Sequence, residues 1–170
     1  MPSNTYDAIV IGSGQAGPFV ANRFAKSGMK VAIVERGLFG GTCVNTGCIP
    51  TKTMVESAYA AHMARRASEF GVGIGGRVTV DMARVKARKD EISGQSRSGV
   101  EAGLRRTENC TVYQGHARFV SPRVVTVGTD RFTAERIFIN VGGRALIPDL
   151  AGLADVPILI TGETGTGKNV

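Results

Sequence analysis

The chain has 170 residues, 42% apolar and 21% charged, the composition of one globular domain of ordinary size rather than a fibrous or disordered chain. No apolar run approaches the ~20 residues of a membrane helix, and the opening MPSNTYDAIV has no basic stretch leading into an apolar core. Neither a membrane partner nor a secretory signal is expected, and a cytoplasmic location is the default. A net charge of +7 would suit an acidic partner, but aromatics are only 6% and no nucleic-acid motif accompanies the charge. The densest basic run, Arg84, Lys86, Arg88 and Lys89, reads as a solvated helix face, so no nucleic-acid partner is expected.

In chain order, the continuous apolar run YDAIVI predicts a buried strand over residues 6–11, stopped by glycine. A helix is predicted over 14–27, with Gly28 as its C-terminal glycine, and KVAIVE predicts a second buried strand. The resulting βαβ unit implies a parallel sheet. Helices are predicted over 49–70, with Pro50 in the first turn, and over 81–106, the second bent or broken at SGQSRSG. After Cys110 the segments become short and β-rich, separated by turn residues such as Gly128-Thr129-Asp130. They predict a small antiparallel meander, with residues 136–141 returning to the main sheet.

Two motifs carry chemistry. Residues 12–17, GSGQAG, match GxGxxG between a strand and a helix. In that context Gly12 permits a tight turn, Gly14 lets backbone approach a pyrophosphate, and Gly17 allows close helix–strand packing. Glu35 closes the second strand, where a carboxylate can accept hydrogen bonds from ribose hydroxyls and disfavours a 2′-phosphate. The second motif is GGTCVNTGCIPTK, residues 40–52, which holds Cys43 and Cys48 ahead of a predicted helix. A structural zinc needs about four ligands, and only Cys110, His62 and His116 remain, at unrelated spacing, so no metal site is expected. A cytosolic chain disfavours a structural staple, and so short a loop would constrain the unfolded chain little. A redox dithiol remains, with Cys48 at a helix N-terminus where a thiolate is favoured. Cys110 reads as a core residue, and both histidines read as packing or surface residues.

The stretch at residues 40–52 closely resembles the active-site signature of the pyridine nucleotide–disulfide oxidoreductases, the flavoenzymes related to glutathione reductase, dihydrolipoamide dehydrogenase and mercuric reductase. Cysteine spacing, Asn45, Gly47, Pro50 and Lys52 all agree with it. YQGHARF (113–119) and IFINVGGRALIPDLAGL (137–153) resemble later parts of the same FAD domain, so the likeness covers roughly residues 5–155. It implies an α/β fold, a Rossmann-like FAD-binding parallel sheet with an antiparallel meander, as an incomplete domain. It implies FAD along the sheet, with the pyrophosphate at Gly12, Gly14 and Gly17, the ribose at Glu35, and further contacts at Gly41, Thr42, Ala117 and Gly142. Cys48 would face the flavin, Cys43 would meet a small-molecule disulfide or related substrate, and Lys52 would act as a buried cation near the flavin's reactive nitrogen. NAD(P)H would donate the electrons.

The family's second GxGxxG for NAD(P)H and its dimerisation domain are not found in these 170 residues, although its members are homodimers. The expectation is a first portion of the FAD domain over 1–155, followed at 156–170 by a tail that departs from the pattern. There GETGTGK fits GxxxxGK, but Asn169 stands where a P-loop needs Ser or Thr, so a truncation or fusion scar is expected. The favoured function is an FAD-dependent disulfide oxidoreductase fragment. The alternatives are an inert FAD-binding half-domain and an ATP-binding protein read from the tail.

Overall fold

The segment Asn4–Ile11, aliphatic from Ala8 onward, forms β1, and Val31–Glu35 forms β2 beside it in parallel, joined by helix α1 at Ala16–Lys26. These elements come from a computed structural model that describes residues 4–143, 148–149 and 151–153. The P-loop-like tail at 156–170 lies outside the described residues. Gly28, at φ +87°, follows the C-cap of α1 and donates to Ala25 O, so the predicted C-terminal glycine is in place.

After β2 come a short helix α2 (Gly41–Asn45), helix α3 (Cys48–Arg65), a 3₁₀ turn (Ala67–Phe70) and helix α4 (Met82–Arg106). The Asp81 side chain caps α4 by accepting from the Arg84 N–H at 3.1 Å. The break expected at SGQSRSG is absent, and α4 runs 25 residues without interruption. Glycine costs a helix roughly 1 kcal/mol relative to alanine, and packing offsets that here. Leu104 of α4 is buried in the core beneath the sheet and Arg88 donates to Thr53 O on α3 at 2.9 Å, while Gly99 and Gly103 themselves face open space.

Four more strands complete one six-stranded sheet: β3 (Cys110–Gln114), β4 (Ala117–Ser121), β5 (Val124–Val127) and β6 (Asp130–Ile139), in the order β3-β2-β1-β6-β5-β4. Strands β3, β2, β1 and β6 are mutually parallel, while β4, β5 and the start of β6 form the antiparallel meander. Two expectations are corrected. Residues 110–114 form the parallel edge strand beside β2, not part of the meander. The returning strand starts at Asp130, because β6 is long enough to pair with β5 at its start and with β1 from Phe132 onward.

Alternation along β1 divides the core between the two faces of the sheet. Ala8 and Val10 meet Val31 and Ile33, and are covered by Ala21 and Ala25 of α1 and Leu104 of α4. Ile9 and Ile11 face the other way, where Val125, Phe132 and Ala134 of the meander close over them, joined by Tyr6 out of strict alternation. There the Tyr6 and Tyr113 hydroxyls lie 2.5 Å apart beside the Phe132 ring. Burial, then the bond to Tyr6, pushes the Tyr113 phenol well above its usual range. The helices therefore hold one face and the meander the other, leaving the C-terminal ends of β1, β2 and β6 to open onto a cleft.

Candidate functional site

The cleft has a volume of about 1110 Å³. It lies at the carboxyl ends of parallel strands, where open α/β sheets bind their ligands. The predicted site residues Gly12, Gly14, Glu35, Gly41, Thr42, Cys43, Cys48, Lys52, Ala117 and Gly142 all line it. Gly17 is set behind the glycine loop. A Cβ there would lie 2.1 Å from Gly12 O, so its role is the close helix–strand contact read from the motif. Gly12 adopts φ +102°, and a Cβ on it would come within 2.2 Å of Asn140 O. No side chain caps the N-terminus of α1; the Gly17 N–H is taken by Gly14 O at 3.1 Å and Pro18 has none, so the Ala16 amide is the one left for an anion in the first three residues.

Glu35 is fixed from two sides. Its Oε2 accepts from Ser13 N at 2.9 Å and from Ser13 Oγ at 2.7 Å, and its Oε1 accepts from Gly37 N at 2.8 Å. Burial pulls the carboxyl upward, but the bonds from Gly37 and Ser13, with a smaller one from Arg36 N–H, outweigh it and hold Glu35 below its ordinary value. A carboxylate has about four acceptor positions, so Oε1 keeps capacity for a ligand hydroxyl.

The dithiol segment is folded against the glycine loop. A Cβ on Gly41, at φ +60°, would sit 2.7 Å from Gly14 Cα. The Asn45 amide Nδ2 donates to Phe39 O and Gly41 O, both at 2.9 Å, and ties the α2 turn shut. Gly47 then packs onto that turn, where a Cβ would lie 3.0 Å from Thr42 O and 3.3 Å from Cys43 Cα. Its φ is −118°, so glycine is needed there for close approach and not for a left-handed turn. Cys48 follows as the first residue of α3, with no side chain capping that helix N-terminus. Cys43 and Cys48 meet as free thiols. The Cys43 thiol is pushed up, first by its hydrogen bond with the Cys48 side chain and then by burial, while the Cys48 backbone N–H and the Lys52 charge pull it down.

The remaining candidates are placed as follows. Lys52 is exposed on the cleft wall, which corrects the expectation of a buried cation: only Thr53 is buried along α3. Cys110 is half-buried on β3 against the helix-side core, away from the cleft, and burial raises its thiol. His62 is partly exposed and stacks on Tyr59, while His116 lines the cleft. Among the described residues no cluster of three or more His, Cys, Asp or Glu side chains could hold a metal ion, and no helix is long and apolar enough to cross a membrane. Sequence reading missed Ser13 and Asn140. The motif leaves Ser13 unspecified, although it is fully buried. Asn140 closes the floor by donating from its backbone N to Ile11 O at 2.8 Å.

The fit to an adenine dinucleotide rests on three observations: an uncapped helix N-terminus, backbone contacts that exclude any Cβ, and a carboxylate with acceptor capacity. Together with a dithiol against the same loop, they define a class, the nucleotide-dependent disulfide oxidoreductases of Rossmann-like fold. The chain belongs to the pyridine nucleotide-disulphide oxidoreductase family, whose model matches residues 6–168. This family uses FAD and NAD(P)H. The chain is 34% identical over 153 residues to a dihydrolipoyl dehydrogenase of Acholeplasma laidlawii, covering 90% of the chain and 45% of that protein. It is 37% identical over 171 residues to a mercuric reductase of Shigella flexneri, covering 95% and 30%. The solved Cu(II) complex of RclA from Escherichia coli, an HOCl-induced flavoprotein disulfide reductase, matches with a TM-score of 0.75 and 32% identity, covering 91% of the chain and 32% of RclA. The chain thus spans about 30–45% of the length of these two curated relatives.

Proposed function

We propose that this chain is the FAD-binding, dithiol-bearing part of a flavin-dependent disulfide oxidoreductase. The observation that carries the reading is the contact of Cys43 with Cys48 at the N-terminus of α3, on the wall of the cleft that also holds the glycine loop. Gly12, Gly14 and the α1 N-terminus would hold the pyrophosphate, Glu35 the ribose, and Gly41, Thr42, Ala117 and Gly142 would line the cofactor's path. Bound FAD would relay two electrons from NAD(P)H to the Cys43–Cys48 disulfide.

Reduction breaks the Cys43–Cys48 bond and leaves one proton on the pair. The hydrogen bond that raises Cys43 favours keeping that proton there, with Cys48 as the thiolate at the helix N-terminus. Cys43 then loses its proton and attacks one sulfur of a small-molecule disulfide, forming a mixed disulfide. The released thiolate takes the proton. Cys48 attacks the Cys43 sulfur and restores the Cys43–Cys48 bond, and the second thiolate it expels takes a proton from solvent. Lys52 lies within electrostatic range of Cys43 and favours the anionic form at each attack. A cytoplasmic setting and assembly as a homodimer in the longer architecture belong to the same reading.

The test is reconstitution with FAD, followed by a redox titration of the dithiol. Quenching of flavin fluorescence and a two-electron Cys43–Cys48 couple are expected. FAD binding without such a couple would favour an inert half-domain, and absence of FAD binding would overturn the reading for this chain.

A further inference from the structure

Among the segments that line the cleft are the glycine loop, the end of β2 and the start of the dithiol turn. One fully buried side chain, Ser13, touches all three. Its N–H and Oγ both donate to Glu35 Oε2, at 2.9 and 2.7 Å. Its backbone O and its Oγ both accept from Gly40 N, at 3.1 and 3.2 Å. Gly40, at φ +92°, opens the turn that presents Cys43. GxGxxG gives this position no role, because neither the tight turn nor the phosphate approach uses its side chain.

This bonding pattern bears on ligand choice. Both protein bonds at Oε2 come from Ser13, while Oε1 of this cleft-lining residue receives the bond from Gly37 N at 2.8 Å and keeps acceptor capacity. A carboxylate free to rotate would offer either oxygen to solvent or ligand. One saturated at Oε2 presents Oε1 in a fixed direction, and a fixed acceptor discriminates a hydroxyl from its deoxy analogue more sharply than a mobile one.

We propose that Ser13 is a positioning residue for adenosine recognition: by occupying Glu35 Oε2 it aims Oε1 at a ribose hydroxyl, and through Gly40 it sets the dithiol turn in register with that contact. This rests on the nucleotide-binding reading above and extends it to a residue outside the fingerprint.

The probes are ADP and its 2′-deoxy and 3′-deoxy analogues, titrated calorimetrically against the full chain. Wild type is expected to prefer ADP over at least one deoxy analogue by roughly tenfold or more, the worth of a hydrogen bond to a charged group. Ser13→Ala should shrink that ratio by roughly threefold or more. It should also move the loss of ADP binding on acidification to higher pH, because a donor to the ionised Glu35 is gone. A purely structural role would weaken ADP and deoxy-ADP alike and leave ratio and pH profile unchanged, and that result would overturn the inference. Ser13→Gly removes the same hydroxyl with the backbone N–H intact, and supplies the measurement if the alanine variant is not folded. Wild-type protein that binds none of the three nucleotides would overturn the nucleotide reading itself, a different outcome from binding whose selectivity ignores Ser13.

Discussion

Substituting Gly12, Gly17 and Gly28 one at a time with alanine separates the two reasons for glycine in this fold. Gly28 adopts φ +87° with nothing within 4 Å of where a methyl would stand, so Gly28→Ala meets backbone strain alone. That strain is about 1–2 kcal/mol for an L-residue, less up to ~1 kcal/mol regained from the unfolded chain. Gly17 lies in α1 at an ordinary φ, but its methyl would stand 2.1 Å from Gly12 O. The obstacle is backbone and cannot rotate away, so the cost sits near the upper end of overpacking, about 3 kcal/mol, less ~1 kcal/mol of helix propensity. Gly12 carries both penalties, φ +102° and a methyl 2.2 Å from Asn140 O, for a sum of about 4–5 kcal/mol. Urea unfolding followed by circular dichroism should rank the losses Gly12→Ala, then Gly17→Ala, then Gly28→Ala. FAD binding should fall for the first two and survive in the third. If Gly28→Ala costs as much as Gly12→Ala, or if Gly17→Ala leaves FAD binding intact, the close-approach argument for this loop is wrong.

Three further outcomes follow from the same geometry. The lowered Glu35 carboxyl contributes stability above its ordinary value of 4.5 that is lost as pH falls through its folded value. Wild-type melting should therefore decline more steeply than that of Glu35→Gln below that pH, and parallel declines would remove Glu35 as the cause. Cys48→Ala deletes the bond that raises Cys43, so Cys43 should alkylate faster at neutral pH, whereas Cys110→Ser should leave the Cys43 rate within about twofold. Phe132 is fully buried, with its ring centroid 4.3 Å from that of Tyr113, so Phe132→Ala should cost about 3–5 kcal/mol in urea unfolding. A loss under about 1 kcal/mol would mean that the meander does not close the second core.

The sequence by itself determined the βαβ unit, the place of Glu35 at the end of β2, and the nearness of Cys43 to Cys48. Each depends on contacts local in the chain: a strand, a turn and a helix within some thirty residues, or two cysteines five positions apart. The tertiary structure decided what depends on distant neighbours. Helix α4 runs through its glycines because α1 and α3 pack against it, and residues 110–114 lie parallel to β2 because that edge was open. Short apolar runs carry no record of which partner they will meet, since parallel and antiparallel pairing use the same residue types. Ser13 shows the same division most sharply. A serine between two glycines is commonplace as sequence, and its burial against Glu35, 22 residues away, exists only once β2 lies beside β1 and the loop is folded over its end.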